Sequence, residues 1–160
     1  LRVAGLDAID GTPVLDIKSY YEQDIVFSPV TPYIRANDET MRRNHFYKLA
    51  MNHHQEACAD LLMAVRMVLV ADQYMGHINR SDLRVAVTGS SCVADTIQGL
   101  SRARLANPPR FSFNESEDMP ISVWTDRDST LKITARRRLD QNGYSNWSDR
   151  DLFHIEYMKV

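Results

Sequence analysis

Residues 53–76 read HHQEACADLLMAVRMVLVADQYMG, and this stretch decides the fold. It begins polar, and from Ala57 onward apolar residues recur every three or four positions, as they do on one face of an α-helix. We therefore predict a long helix from about Gln55 to Tyr74, closed by Gly76, as the central buried helix. Its apolar face comprises Ala57, Cys58, Leu61, Leu62, Val65, Val68 and Leu69.

The segments on either side predict further helices and a first strand. Asn37 or Asp38 is a suitable cap for a preceding helix that places Met41, Phe46, Leu49 and Ala50 on one face. Beyond the central helix, residues 83–88 are typical of a buried strand. A turn, Gly89-Ser90-Ser91, then provides a serine cap for a helix over about residues 92–103.

After Pro108-Pro109 the pattern changes to strands with alternating apolar residues. We predict an antiparallel meander in which Asp126 to Ser129 form a hairpin loop. The residues predicted to face inward are Phe111, Phe113, Ile121, Val123, Thr125, Leu131, Ile133, Ala135, Phe153, Ile155 and Tyr157. Residues 38–160 therefore predict an α+β domain, with N-terminal helices and a central helix packed on a mainly antiparallel sheet. Residues 1–37, rich in turn signals and proline, predict a separate tail and linker.

Composition excludes several classes of protein. Of the 160 residues, 44% are hydrophobic and 25% are charged, which is the composition of an ordinary globular chain with one main domain. No apolar run approaches the roughly 20 residues of a membrane span, so we expect no membrane association and a cytoplasmic location. Two cysteines are too few for a disulfide framework.

The net charge of -2 provides no overall attraction to polyanions. Local basic patches remain possible at Arg102, Arg104, Arg110 and Arg136 to Arg138, although such residues usually form solvated faces. No P-loop, dinucleotide-binding glycine pattern, nucleophile elbow or His-Glu-x-x-His motif is present. The residues by themselves therefore specify no catalytic mechanism.

His54, Cys58 and Cys92 form the candidate metal site. A spacing of four residues puts His54 and Cys58 on one helical face, and Cys92 opens a second helix, where the dipole lowers a thiol's pKa. Imidazole and thiolates suit zinc or another late transition metal and leave room for water or an exogenous ligand. The alternative is that both cysteines are buried apolar residues and that the histidine is partly solvated.

Two carboxylates lie near these residues in the sequence. For Asp95 the favoured interpretation is that it stabilises the first turn of its helix, and the alternative is that it orients a ligating histidine. Glu56 is interpreted as a solvated acid in the first turn of its helix.

Residues 6–20, LDAIDGTPVLDIKSY, strongly resemble the closing motif of the TsaA-like, tRNA-methyltransferase O family, with Ser19 in place of a proline. The resemblance implies an S-adenosylmethionine-binding β-barrel whose cofactor lies close to the loop matching Asp10, Gly11 and Thr12. It also implies methylation of a modified adenosine in tRNA. Only about twenty residues match and the preceding barrel strands are absent, so we expect no complete enzyme in this chain alone. Either the numbering starts inside a longer parent protein, or the segment is a remnant.

From about residue 45 onward the chain resembles, more weakly, the FmdE-type domain of formylmethanofuran dehydrogenase, found in methanogens and other anaerobes. The matching runs are His54-Gln55-Glu56-Ala57-Cys58-Ala59-Asp60-Leu61 and Cys92-Val93-Ala94-Asp95-Thr96-Ile97-Gln98. Glu56 replaces a second histidine, Ala59 and Asp60 replace Pro-Gly, and the zinc-ribbon extension is absent. The resemblance implies an α+β domain with a metal-associated site, serving as an accessory module in one-carbon or redox metabolism.

These resemblances leave three functions open. The first is a metal- or cofactor-binding module fused to a methyltransferase-type domain. The second is part of a tRNA methyltransferase with an appended RNA-binding domain. The third is an interaction protein that forms a homo-oligomer or docks onto a larger redox complex.

Overall fold

The computed structural model of the protein describes residues 38–138, 140 and 143–159. The interpretation of residues 1–37 as a methyltransferase-like tail, with Asp10, Gly11 and Thr12 at a cofactor, lies outside the described residues.

Two helices form the N-terminal part of the domain. Helix α1 spans Glu39–His54, and its cap is Asp38, whose carboxylate accepts the Met41 N–H at 2.8 Å. Helix α2 spans Ala59–Met75 and ends at Gly76, whose φ of 73° is a conformation that glycine adopts at little cost. Both caps confirm the predictions made from local sequence. Met41, predicted to share the buried face of α1, is instead 66% exposed.

The predicted start of α2 at Gln55 is wrong, because α1 runs through His54 and the chain breaks before α2 begins. Gln55 has a φ of 62°, in the left-handed region, and its N–H caps α1 by donating to the Met51 carbonyl. Cys58 is extended and caps α2. Exposed Glu56 therefore lies in the turn between two helices, and the face predicted from Ala57 onward begins only at Leu61.

Helix α2 is the central buried helix, as predicted, with most of its residues in the core. It packs against α1, against α3 and against two strands of the sheet. Arg66 is buried within it at 4% exposure and donates to Asp149 and to the carbonyls of Tyr144 and Trp147. These bonds satisfy the buried guanidinium and attach the segment before β5 to the core.

The remaining elements of the described residues are five strands, which form one sheet, together with two helices and a 3₁₀ turn. They are β1 (Arg84–Gly89), α3 (Ser91–Ser101), β2 (Phe111–Glu115), β3 (Ile121–Thr125), β4 (Ser129–Ala135), a 3₁₀ turn (Gly143–Ser145), α4 (Asp149–Leu152) and β5 (Phe153–Lys159). The strand order is β2-β1-β3-β4-β5. The domain is α+β, as predicted, and Ser90 caps α3 through the Val93 N–H.

The topology corrects one part of the predicted meander. Strand β2 pairs in parallel with β1, and only β3, β4 and β5 follow one another as antiparallel neighbours. The reason is α3, which carries the chain back to the end of the sheet where β1 began, so that the next strand runs in the same direction. The hairpin loop from Asp126 to Ser129 is confirmed by the bond from the Asp126 N–H to the Ser129 carbonyl.

The predicted orientation of β3 is wrong. Ile121 and Val123 were expected to face inward, but the fully buried residues are Ser122 and Trp124. The indole N–H of Trp124 donates to the Ser122 hydroxyl at 3.0 Å, so both buried polar groups are satisfied. Burial of the large indole ring outweighs burial of two smaller aliphatic side chains. On β2, Phe111 is buried as predicted, whereas Phe113 is 41% exposed.

Candidate metal centre

The structure brings His54, Cys58 and Cys92 together. One ligand atom from each residue lies within 4.8 Å of the others, and all three side chains are partly buried. His54 is the last residue of α1, Cys58 precedes α2, and Cys92 lies in the first turn of α3. The predicted proximity of His54 and Cys58 therefore arises from a turn between two helices, and not from one helical face.

A carboxylate of α3 determines which nitrogen of His54 faces the cluster. Nδ1 of His54 lies 2.7 Å from Oδ2 of Asp95. An ionised carboxylate only accepts hydrogen bonds, so Nδ1 is the nitrogen that donates to Asp95, and Nε2 is the nitrogen that faces away from it. Nε2 lies 3.7 Å from Sγ of Cys58. The first interpretation of Asp95, as a helix-turn residue, is wrong: it orients a histidine, as carboxylates beside metal sites commonly do.

His53 makes a hydrogen bond with the second oxygen of the Asp95 carboxylate. Its Nε2 lies 3.2 Å from Oδ1 of Asp95, and its ring rests on Gly99, one helical turn further along α3. A Cβ added to Gly99 would lie 2.3 Å from the ring, so the absence of a side chain lets the end of α1 approach α3. The sequence signal for this contact is only a glycine four residues after Asp95, which does not by itself identify a partner.

The two thiols differ in their surroundings. Sγ of Cys58 accepts the backbone N–H of Leu61 at 3.3 Å, as a side chain does at a helix N-cap. Burial, followed by the charge and hydrogen bond of Cys58 and by the carboxylates of Asp60 and Glu56, raises the pKa of Cys92. The sequence-based expectation of a lowered pKa at this helix start is therefore wrong. A second thiol and two carboxylates beside Cys92 concentrate negative charge at this site, and such a site suits a cation.

A polar cleft lies at the turn that precedes α3. It has a volume of about 690 Å³ and is lined by Ser90, Ser91, Glu115, Ser116, Glu117 and Arg138. Ser90 and Ser91 directly precede Cys92, and the Ser90 hydroxyl donates to Oδ2 of Asp60 at 2.6 Å, two residues beyond Cys58. The cleft therefore borders the turn before Cys92, but its lining includes none of His54, Cys58 and Cys92.

The arginines considered as an RNA-binding patch make local contacts. Arg137 lies over the Trp147 ring at 4.1 Å. Four others donate to backbone carbonyls of their own domain: Arg104, Arg110, Arg136 and Arg138. These five side chains thus have structural roles. Within residues 38–138 and 143–159, none of the helices is both long and apolar enough to cross a bilayer.

Comparison with known proteins finds two curated relatives, while no family model matches the chain. A probable S-adenosyl-L-methionine-binding protein of Archaeoglobus fulgidus is 28% identical over 114 residues, covering 67% of this chain and 31% of that protein. A protein of the same name from Methanothermobacter thermautotrophicus is 77% identical over 22 residues, covering 14% of this chain and 16% of that protein. The chain therefore matches about a third or less of the length of each relative.

The longer match constrains the region it covers. Residues 1–37 make up less than a quarter of the chain, so a match over 67% of it necessarily extends into the α+β domain described above. The Archaeoglobus protein thus contains a segment similar to part of this domain.

Proposed function

We propose that the α+β domain is a metal-binding module that holds zinc or another late transition metal at His54, Cys58 and Cys92. The observation that carries this proposal is the hydrogen bond from His54 Nδ1 to Asp95, which turns Nε2 of the same ring toward Cys58. In a histidine that is only packed in a core, nothing requires the second nitrogen to face a pair of thiols.

The residues fit such an ion by three independent criteria. The donors are one imidazole and two thiols, a set that binds zinc and its neighbours tightly. They already lie within 4.8 Å of one another. Two thiolates and a neutral imidazole also balance the charge of a divalent cation. When bound, such an ion supplies Lewis acidity to whatever occupies its remaining position.

We propose further that this module belongs to a polypeptide whose other part binds S-adenosylmethionine. Three observations support this: the motif over residues 6–20, the match of 22 residues at 77% identity, and the names of both relatives. Asp10, Gly11 and Thr12 are the residues that the motif assigns to the cofactor. Methylation of tRNA is then a proposal for the parent protein, because the motif corresponds only to the end of the barrel.

The resemblance to the FmdE-type domain of formylmethanofuran dehydrogenase implies an α+β fold and a metal-associated site, and the α+β class of the described domain is compatible with it. Both relatives come from archaea, but their names refer to S-adenosylmethionine and not to formylmethanofuran. The proposed function of the domain is therefore the metal site itself. A role in one-carbon metabolism follows only if the bound metal and its substrate belong to that chemistry.

Elemental analysis of the purified chain tests the metal site. We expect about one transition-metal ion per chain in the wild type, and loss of that ion in Cys58→Ser, Cys92→Ser and His54→Ala. His154→Ala is the matched control, because this histidine lies exposed on β5. The proposal would be contradicted if the wild-type protein were metal-free and took up no zinc on titration, and if both cysteine variants had unchanged stability.

A methylation assay separates the second proposal from the first. The parent protein should transfer methyl groups from S-adenosylmethionine to tRNA, and the present chain should not. Absence of methylation with the intact parent would contradict the tRNA assignment, whereas methylation by the present chain would contradict the expectation that this chain alone is inactive. Neither outcome affects the metal site.

A further inference from the structure

We propose that Cys58 and Cys92 form an oxidation site, in which a hydroperoxide joins them in a disulfide and thereby removes both thiolates from the metal centre. Formation of the disulfide requires only the two thiols, whereas its effect on metal binding rests on the proposed function. Retention of the metal ion then depends on the redox state of this one pair of cysteines.

The two thiols already contact each other. Sγ of Cys58 and Sγ of Cys92 lie within 4.8 Å, and a hydrogen bond joins the two side chains. A disulfide holds its sulfur atoms about 2 Å apart, so the two sulfurs have to approach by less than about 3 Å. They belong to the two cysteines of the chain, so within one molecule each thiol has the other as its disulfide partner.

The backbone around Cys58 permits this approach. Residues 55–58 form the turn between α1 and α2, and Cys58 itself is extended, so its rotamers are not restricted by a preceding helical turn. Cys92 is held more firmly, because it lies in the first turn of α3 behind the Ser90 cap. Closing the bond therefore moves the turn at Cys58, and its cost is the hydrogen bond that Sγ accepts from the Leu61 N–H.

Both thiols are accessible to a small oxidant, since each cysteine is only partly buried. With hydrogen peroxide, one thiolate attacks a peroxide oxygen, the O–O bond breaks, and a sulfenic acid forms with loss of hydroxide. The second thiolate attacks the sulfenic sulfur and displaces a second hydroxide. The two sulfurs lose two electrons, the peroxide gains them, and two protons from solvent convert both hydroxides to water.

The disulfide leaves the metal centre without enough ligands. The thiolate is the form of cysteine that binds a metal, and a disulfide sulfur carries no negative charge. Of the three donor residues at the site, only His54 remains. Two nearby carboxylates do not replace the thiolates, because Asp95 contacts both histidines at the end of α1 and Asp60 accepts from Ser90. Oxidation therefore releases the ion.

Treatment of the zinc-loaded full chain with hydrogen peroxide tests this inference. Zinc release is followed with a chromophoric chelator, free thiols are counted, and the intact mass is measured. We expect loss of about one zinc ion per chain, loss of both thiols and a mass decrease of about 2 Da within one chain. Digestion should then yield a linked pair of peptides that contain Cys58 and Cys92, and dithiothreitol should restore both thiols and zinc binding.

His54→Ala separates the disulfide from the metal, because this variant should lose the ion and still form the same disulfide. His154→Ala, at an exposed position of β5, is the matched control and should behave as the wild type does. Unchanged thiols, sulfinic acids, disulfides between two chains, or an internal disulfide that leaves zinc bound would each overturn the inference and leave the metal site intact. A wild type that binds no zinc overturns the proposed function, and this regulation with it, whether or not the disulfide forms.

Discussion

His54 and Asp95 lie 41 positions apart in the sequence and are joined by a hydrogen bond of 2.7 Å. The bond connects the end of α1 to the first turns of α3 and selects the tautomer in which Nε2 faces Cys58. One contact thereby couples the packing of two helices to the chemistry of the site.

Replacing Asp95 tests this coupling. Asp95→Ala should lower metal affinity about 10- to 100-fold, because the imidazole loses both its orientation and the basicity provided by the carboxylate. Asp95→Asn should lower metal affinity less than Asp95→Ala, since the amide oxygen still accepts the hydrogen bond from His54 Nδ1. Competition with a chromophoric chelator measures both, with the exposed Asp128→Asn as control. Equal affinity in wild type and Asp95→Ala would show that the bond does not support a metal.

Gly99→Ala should destabilise the wild type by about 1–3 kcal/mol, because the new Cβ lies 2.3 Å from the His53 ring. In a His53→Ala background the same change should instead stabilise by about 0.5–1 kcal/mol, since alanine favours a helix over glycine. Urea denaturation of the four proteins in this cycle gives both values. The same sign in both backgrounds would mean that the ring is not the obstacle.

Ser122→Ala should cost about 1–3 kcal/mol of unfolding free energy, although it removes only one hydroxyl. The Trp124 indole N–H would lose its acceptor at a position with 0% exposure. Ser112→Ala, at an exposed position of β2, is the control and should change stability by less than about 0.5 kcal/mol. Thermal or urea unfolding of the two variants measures the loss of stability in each. An equal loss in Ser122→Ala and Ser112→Ala would contradict the burial of this hydrogen bond.

The loop carboxylate Asp126 should make stability depend on pH in the acid range. Its burial alone would raise the pKa, but hydrogen bonds from Arg80, Asp128 and Ser129 outweigh this effect and lower the pKa from 3.8 to about 2. The folded state therefore favours the charged form, and the resulting stability is complete above about pH 4 and lost as the pH falls toward 2. Because the loop is near the surface, we expect the charged Asp126 to contribute about 1–2 kcal/mol to the free energy of unfolding.

Denaturation of wild type and Asp126→Asn between pH 6 and pH 2 checks this sign. The difference in unfolding free energy should shrink as the pH falls through the window between the two pKa values. A difference that stays constant would show that the carboxylate does not titrate as described. Asp128→Asn, which changes an exposed carboxylate of the same loop, is the matched control. A trend of the same size in that variant would show that the pH dependence does not arise at Asp126.

Local signals in the sequence predicted the features that depend on neighbouring residues. Asp38 and Ser90 cap helices, and Gly76 ends one, because each of these interactions spans only three or four positions. The wrong prediction that α2 starts at Gln55 also comes from relying on short-range signals. Apolar periodicity continues upstream of Leu61 in the sequence, but the left-handed Gln55 and the capping Cys58 separate two helices.

The sequence by itself determined the α+β class, the central buried helix and the three residues of the candidate site, because periodicity, caps and ligand chemistry are written in short segments. Only the tertiary structure decided that α3 makes β2 parallel to β1, that Trp124 faces the core, and that Asp95 holds His54. Each of these depends on packing between segments far apart in the chain. Such contacts are selected by shape and buried area, which no local pattern of residues encodes.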